Sequence, residues 1–369
     1  MIYFDNAATT MIKPLAVGRA VLRAMQTMAS PGRGAHEPAM QAAKTVYNCR
    51  VEAAELFKVP EPEQIVFTMN ATHGLNIAIN NLAKEGTKVL VSGYEHNSVT
   101  RPLATAGADI HVASSPVFDG EEILYAFERE LDWAELAVCT HVSNVFGFIL
   151  PIYDIARLCH DKGVPLIVDA SQSAGVLEVD YTRLGAEYIA MPGHKGLFGP
   201  QGTGILICAK AGEPLLCGGS GTDSIPQHMP EYLPDRMEAG THNVCGIAGL
   251  LEGIRYVRRR GIGEIFKHEN CLLKRMTEKL AELEGLELFT EECKEQSGVL
   301  SVRGKKISCE DFAAALAEEG ICVRTGLHCA PYAHKSAGTL DTGTVRFSFS
   351  PFNTFEEVDG CCQFIKDLL

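Results

Sequence analysis

The chain lacks any paired-cysteine signature. Its thirteen cysteines are scattered over 369 residues, no Cys-x-x-Cys occurs, and only Cys361 and Cys362 are close neighbours. A disulfide scaffold and a structural zinc site both need regular close spacing. Neither is expected, and the thiols are expected to be reduced. Positive charge is also short: Lys plus Arg number 33 against 46 Asp plus Glu, a net charge of −13. Nucleic acid and anionic membranes require a positive surface, so neither is an expected partner. No apolar run approaches a membrane span, Ile205-Leu206-Ile207-Cys208-Ala209 being typical. Met1-Ile2-Tyr3-Phe4-Asp5 reaches a carboxylate before an apolar segment develops, which argues against a secretory leader and for a cytoplasmic location. Two nucleotide signatures are missing as well. There is no Gly-x-x-x-x-Gly-Lys-Ser/Thr, and no Gly-x-Gly-x-x-Gly follows a strand, so kinase-like and dinucleotide readings lack their anchors.

What is present is a globular balance, 46% hydrophobic and 21% charged, in a chain long enough for a large unit and a smaller one. Short apolar runs alternate with helical stretches. Strands are expected at 64–68, 88–92, 136–140, 165–169, 187–190 and 204–207, with helices over 71–82 and 152–161. Near-continuous apolar strands separated by helices predict an α/β fold whose mostly parallel sheet is covered on both faces. One long amphipathic helical region is expected over 253–283, carrying Arg255, Arg258, Arg259 and Arg260. Beyond it, strands at 299–302 and 344–348 with a helix over 311–319 predict a smaller α+β unit. The expected division is 14–255 for the large domain, with 1–13 and 256–369 forming the small one.

Ligands of open parallel sheets bind beyond the carboxyl ends of the strands. Asp169 closes one such strand, Gln172 follows three residues later, and Lys195 follows the next strand in Gly193-His194-Lys195-Gly196. Each residue alone has an ordinary explanation: a helix cap, a solvated lysine. Together, in this order, they suit pyridoxal 5'-phosphate (PLP). The lysine amine would form a Schiff base and move protons. The carboxylate would keep a pyridine nitrogen protonated, so that the ring draws electrons. Gln172 would bond the phenolic oxygen, and His96, after the strand ending at Ser92, would stack on the ring. A phosphate is best placed at Asn70-Ala71-Thr72-His73-Gly74, where a strand gives way to a helix N-terminus.

Several segments together resemble the class V aminotransferase fold family: Asp5-Asn6-Ala7-Ala8-Thr9-Thr10, Ala71-Thr72-His73-Gly74, Glu95-His96-Asn97, Thr140-His141-Val142-Ser143-Asn144, Val168-Asp169-Ala170-Ser171-Gln172 and Gly193-His194-Lys195. Glu238-Ala239-Gly240-Thr241 and Arg324-Thr325-Gly326-Leu327-His328-Cys329-Ala330 narrow the resemblance to cysteine desulfurases and selenocysteine lyases, with a short cysteine loop like that of the group II (Suf-type) enzymes. The resemblance covers nearly the whole chain. It implies the aspartate aminotransferase-like architecture of fold type I and conversion of L-cysteine to L-alanine, L-selenocysteine being the alternative substrate. Lys195, Asp169, Gln172 and His96 would hold PLP, Thr72 and His194 its phosphate, with Ala71 and Pro192 standing where hydroxyl residues are common. Thr241 would reach the other active site of a homodimer, and Asn144 and Arg346 would hold the substrate carboxylate. Cys329 would take the sulfur as a persulfide, helped by a cation from His328 or Arg324, and pass it to an acceptor protein or small thiol. No metal is implied.

Overall fold

A computed structural model describes residues 1–32, 34–222, 224–290 and 296–369. Its centre is a seven-stranded sheet. From one edge to the other the strands are Ile65–Thr68, Gly204–Cys208, Tyr188–Pro192, Leu166–Asp169, Leu136–Thr140, Lys88–Ser92 and Asp109–Ala113. All run parallel except Gly204–Cys208, which lies antiparallel between its two neighbours. Buried apolar side chains cover both faces: Leu90, Phe127, Cys139, Val168 and Ile205 on one, Leu75, Val91, Val138, Ile167 and Leu206 on the other. With neither face wet, the strands need no polar alternation, and they read as continuous apolar runs. The chain leaves strand Lys88–Ser92 toward one edge and later returns on its other side, at Leu136–Thr140. The strand order reverses there, and such a switch point opens a crevice at the carboxyl ends.

A second sheet, Arg324–Gly326, Thr344–Ser348, Val299–Gly304 and Leu286–Phe289, is antiparallel throughout. It packs with helices Ile262–Leu280, Cys309–Glu318 and Phe355–Leu368 around Phe4, Leu272, Phe312, Phe347 and Ile365. The N-terminus belongs to this core: Ile2–Tyr3 pairs in parallel with Ile321–Cys322, and Asp5 bridges to Ser348.

One expectation is corrected. The helical region over 253–283 is two helices, Val244–Arg260 and Ile262–Leu280. Gly261 sits between them at φ +85°, a conformation costly to any residue with a Cβ. The amphipathic pattern runs across the break, so its spacing alone does not show it.

A buried ion pair fastens the large unit's outer layer. Arg50, on helix Glu37–Phe57, meets Glu238 through two contacts of 2.8 and 2.5 Å. Glu238 also accepts the Phe67 amide and lies 3.1 Å from His242. Breaking such a pair leaves one charge stranded at a cost of about 3–5 kcal/mol. Glu238→Leu should therefore lower the thermal unfolding midpoint strongly, whereas Glu238→Leu with Arg50→Met should recover much of it. Calorimetry on the two variants checks this. Equal midpoints would show that the pair contributes nothing.

Candidate functional site

Five strand ends converge on one cavity of about 200 Å³. The turn after Thr68 brings Asn70, Ala71 and Thr72, and that after Ser92 brings His96 and Ser98. The turn after Thr140 brings Val142 and Asn144, that after Asp169 brings Ser171 and Gln172, and Pro192 is followed by His194 and Lys195. Arg324, His328 and Arg346 close it from the second sheet. Lys195, Asp169, Gln172, His96, Thr72, Ala71, His194, Asn144 and Arg346 are thus all brought together. Thr241 is not among them. It is exposed in a separate recess with Met69, His73 and Glu238. Cys329 is exposed and does not line the cavity, though its neighbour His328 does.

At one end, Asn70 caps helix Ala71–Leu82 by accepting the His73 amide at 2.9 Å. The first amides of that helix remain open to an anion. The Thr72 hydroxyl lies 2.7 Å from that of Ser98, which also receives or gives a hydrogen bond at His96 Nδ1, 3.0 Å away. Ser98 restores a side-chain hydroxyl to a corner where Ala71 and Pro192 supply none. Its signal in the sequence is its place two residues past His96, on the neighbouring helix start.

Burial sets the protonation states. Lys195 is pushed down to about 8, first by desolvation, against the pull of Asp169 and with the push of Arg346 and Arg324. Desolvation likewise lowers His96 to about 4 and His194 to about 4. His96 accepts the Ser98 amide at Nδ1, which leaves its other nitrogen free of that bond. His194 Nδ1 faces the Thr9 hydroxyl at 3.0 Å. Asp169, 2% exposed, accepts the Ser171 amide at 2.9 Å. Gln172 donates to the Ala7 carbonyl at 3.1 Å. Deeper still, Glu95 spans two strand ends, taking the Ser92 hydroxyl and the Thr140 amide, and desolvation raises it to about 8.

The opposite end is cationic. Arg346 is 1% exposed, donates to Asp5 at 2.7 Å and to the Asn144 carbonyl at 2.9 Å, and keeps a buried Nε without a partner. Arg324 stands directly opposite it in the antiparallel ladder and forms no ion pair among the described residues. Like charges facing across a ladder repel, so this end favours an anion. Asp5 is a member of the site that the sequence pattern alone does not reveal, because its partner lies 341 residues away.

The cysteine turn is strained. His328 and Cys329 adopt φ of +48° and +57°, left-handed values that cost on the order of 1–2 kcal/mol per side-chain-bearing residue. Two hydrogen bonds hold them: Asn97 donates to the Cys329 carbonyl at 2.7 Å, and Asn144 to the His328 carbonyl at 2.8 Å. The expected cation at His328 is not there. Its ring is buried, with Nε2 3.2 Å from the Thr344 carbonyl oxygen, and desolvation drives its pKa down to about 2, so it stays neutral. Arg324, the other cation expected there, lines the cavity instead.

The cavity therefore offers an amine that is free above about pH 8, a buried carboxylate, an anion-binding helix start at one end and two guanidinium groups at the other. That donor set fits a phosphorylated pyridine aldehyde together with a small amino acid.

The chain matches the family model described as Aminotransferase class-V over residues 2–360. It is 35% identical to a probable cysteine desulfurase of Methanothermobacter thermautotrophicus, over 97% of this chain and 92% of that protein. It is 32% identical to a probable cysteine desulfurase of Pyrococcus abyssi, over 100% and 94%. The apo structure of a cysteine desulfurase from Thermococcus onnurineus NA1 superposes with a TM-score of 0.93 at 35% identity, covering 100% of this chain and 94% of that one.

The depressed lysine gives a direct expectation. A lowered pKa means the free amine is present above about 8 rather than above 10.5. In cofactor-free protein, the rate of Lys195 acylation should climb through a midpoint near the lower value, as read by peptide mass spectrometry. A midpoint at the ordinary lysine position would contradict the burial argument.

Proposed function

The chain belongs to the class-V aminotransferase family, and on that premise we propose that it is a PLP-dependent cysteine desulfurase, taking sulfur from L-cysteine onto Cys329 and leaving L-alanine. The observation that carries this reading is the convergence of Lys195 and Asp169 in one cavity, with a strained, exposed cysteine held at its mouth. Bound there, PLP supplies an electron sink that loosens first the substrate Cα–H bond and then its Cβ–S bond.

The chain's own residues do the rest. Asp169, kept from water, would hold the positive pyridine N–H end of the cofactor. Thr72, Ser98, His194 and the open amides of helix Ala71–Leu82 receive the phosphate. His96 would present a neutral ring to the pyridine face, and Gln172 would hydrogen-bond the phenolic oxygen. Arg346 and Asn144 orient the substrate carboxylate, with Arg324 adding charge. Lys195, free as the amine above about 8, lifts and returns protons at the substrate carbon. Cys329 acts as thiolate: its sulfur forms the S–S bond while the substrate Cβ–S bond breaks, and the carbon gains a proton. L-Selenocysteine has nearly the same shape and is the alternative substrate.

Strand Arg324–Gly326 and helix Pro331–Ser336 bracket the cysteine within four residues, flanked by buried His328 and Ala330. An extended chain spans at most about 3.3–3.6 Å per residue, so the persulfide stays at the mouth. A thiol or an acceptor protein must come to it.

A homodimer is part of the proposal. Leu15, Leu22, Met25, Met40, Tyr47 and Met69 are large, apolar and exposed, and such surface is a frequent mark of association. Thr241, outside its own chain's cavity, would reach the partner's phosphate. The proposed division into 14–255 and a small unit of 1–13 with 256–369 follows the main apolar cores, except that Ala330 and Ala333 join the large core, Val257 and Ile265 pack with Val176 and Phe198, and the 255/256 boundary falls within helix Val244–Arg260. A reducing, cytoplasmic setting agrees with twelve described cysteines that are all unpaired. No helix among the described residues is long and apolar enough to cross a membrane.

Three measurements test the reading. Lys195→Ala should lose the borohydride-fixed link to PLP that wild type shows, and persistence of that link through another lysine would overturn the assignment. Cys329→Ser should bind PLP and cysteine yet form no persulfide. Wild-type alanine output from this variant would remove the cysteine from the reaction. With cysteine alone, wild type should give a burst of alanine followed by slow turnover that a small thiol accelerates. Turnover without a burst and indifferent to thiols would contradict the confined persulfide.

A further inference from the structure

A second, smaller chamber touches the same lysine. It measures about 40 Å³ and is walled by Lys195, Gln172, Asn6, Ser297, Gly298 and Glu269. A water needs on the order of 10–15 Å³ of such space, so the chamber has room for about two or three. Glu269, on helix Ile262–Leu280, is 6% exposed, yet it forms no hydrogen bond and no ion pair among the described residues. A carboxyl left this way is costly unless water reaches it or it carries a proton. Gly298 leaves it room: a Cβ there would lie 2.7 Å from Glu269 Cβ and 3.2 Å from its Oε2.

We propose that Glu269 is the proton partner of Lys195, exchanging a proton with the lysine amine through water held in this chamber. The inference rests on the reading of Lys195 as the group that moves protons at the substrate carbon. As the ammonium gives one proton to a chamber water, that water gives one to the Glu269 carboxylate. Only N–H and O–H bonds change, and no electron moves. Glu269 acts through Lys195 and touches no substrate, so it is a positioning residue for the proton.

The surrounding charges allow this exchange. Desolvation raises Glu269 to about 8, opposed by Arg260 from the preceding helix, while Lys195 is lowered to about 8. Two groups of matched proton affinity pass a proton at little cost. Lys195 faces Asp169 and Asp5, which favour the ammonium, and Arg346 and Arg324, which oppose it. The remaining polar walls of the chamber are uncharged: Asn6, Thr10, Gln172, Ser297 and Ser348, with Lys13 donating to the Thr10 hydroxyl at 2.8 Å. His268, the preceding residue, is engaged 2.9 Å from the Asn353 carbonyl oxygen. Asp359, on the helix packed against Ile262–Leu280, is taken by Arg275 and Lys279.

The test compares full-length wild type, Glu269→Gln and Glu269→Asp. In cofactor-free protein, trace acetic anhydride is applied from neutral to alkaline pH and Lys195 acetylation is read by peptide mass spectrometry. An ionised carboxylate across the chamber favours the ammonium, so its loss in Glu269→Gln should move the Lys195 midpoint down. Glu269→Asp should fall between the two. In PLP-loaded enzyme, Glu269→Gln should lower kcat severalfold and move its pH profile while KM for cysteine holds, with partial rescue in Glu269→Asp. An unchanged midpoint overturns the proposal, even if desulfuration is normal. Should Glu269→Gln not fold, Glu269→Asp against wild type decides by the same midpoint. Wild type that makes no alanine from cysteine would remove the desulfurase reading, while the acetylation comparison would still judge Glu269.

Discussion

Arg346 enters the cavity from a strand of the antiparallel sheet, but its hydrogen bonds go elsewhere: to Asp5 near the N-terminus and to the Asn144 carbonyl on the large sheet's rim. Asn144 in turn donates to the His328 carbonyl and so steadies the cysteine turn. One buried guanidinium therefore ties three stretches of chain into the geometry that the site requires. A buried cation is tolerable only when paired and hydrogen-bonded. Asp5 supplies the pairing here, and the unpartnered Nε keeps one donor for another anion. The two-sheet architecture, the position of Cys329 and the cationic end of the cavity all hang on this arrangement.

The rest of the site is organised by removing water rather than by adding charge. His96, His194 and His328 stay neutral because burial disfavours their cationic forms. Glu95 is pushed toward its protonated form by the same effect. The remaining charged side chains are few and directional: the Asp169 carboxyl at the base, with Arg324 and the Asp5-paired Arg346 at the far end. In such surroundings each remaining charge acts over a longer range than it would in water. A molecule with an anion at each end and a carbonyl between them meets complementary groups along its length.

The sequence makes the large sheet legible because both faces are buried, and continuous apolar runs such as Leu136–Thr140 have no other comfortable home. It also makes Lys195 and Asp169 legible, since both sit just past strand ends where parallel sheets bind ligands. Other features depend on tertiary geometry. Gly261 breaks a helix through its φ value, which periodicity does not encode. His328 looks like a cation beside Cys329 because they are neighbours in the chain, whereas the turn sends its ring toward Thr344. Ser98 joins Thr72 only because two strand-to-helix turns lie side by side. Asp5 and Glu269 are ordinary carboxylates until residues far along the chain pack against them.

The separation of 341 residues between Asp5 and Arg346 has a consequence for synthesis. A ribosome that has completed the seven-stranded sheet has not yet made Thr344–Ser348, the strand that carries the arginine. Until that strand emerges, the first residues of the chain lack the bridge to Ser348, and the floor around Lys195 stands open to water. The large sheet can form early, but closing so long a loop carries an entropic cost that only the final contacts offset. The nascent protein is thus kept without a finished cavity until Thr344–Ser348 has been made, so a product truncated before that strand would leave Lys195 unenclosed.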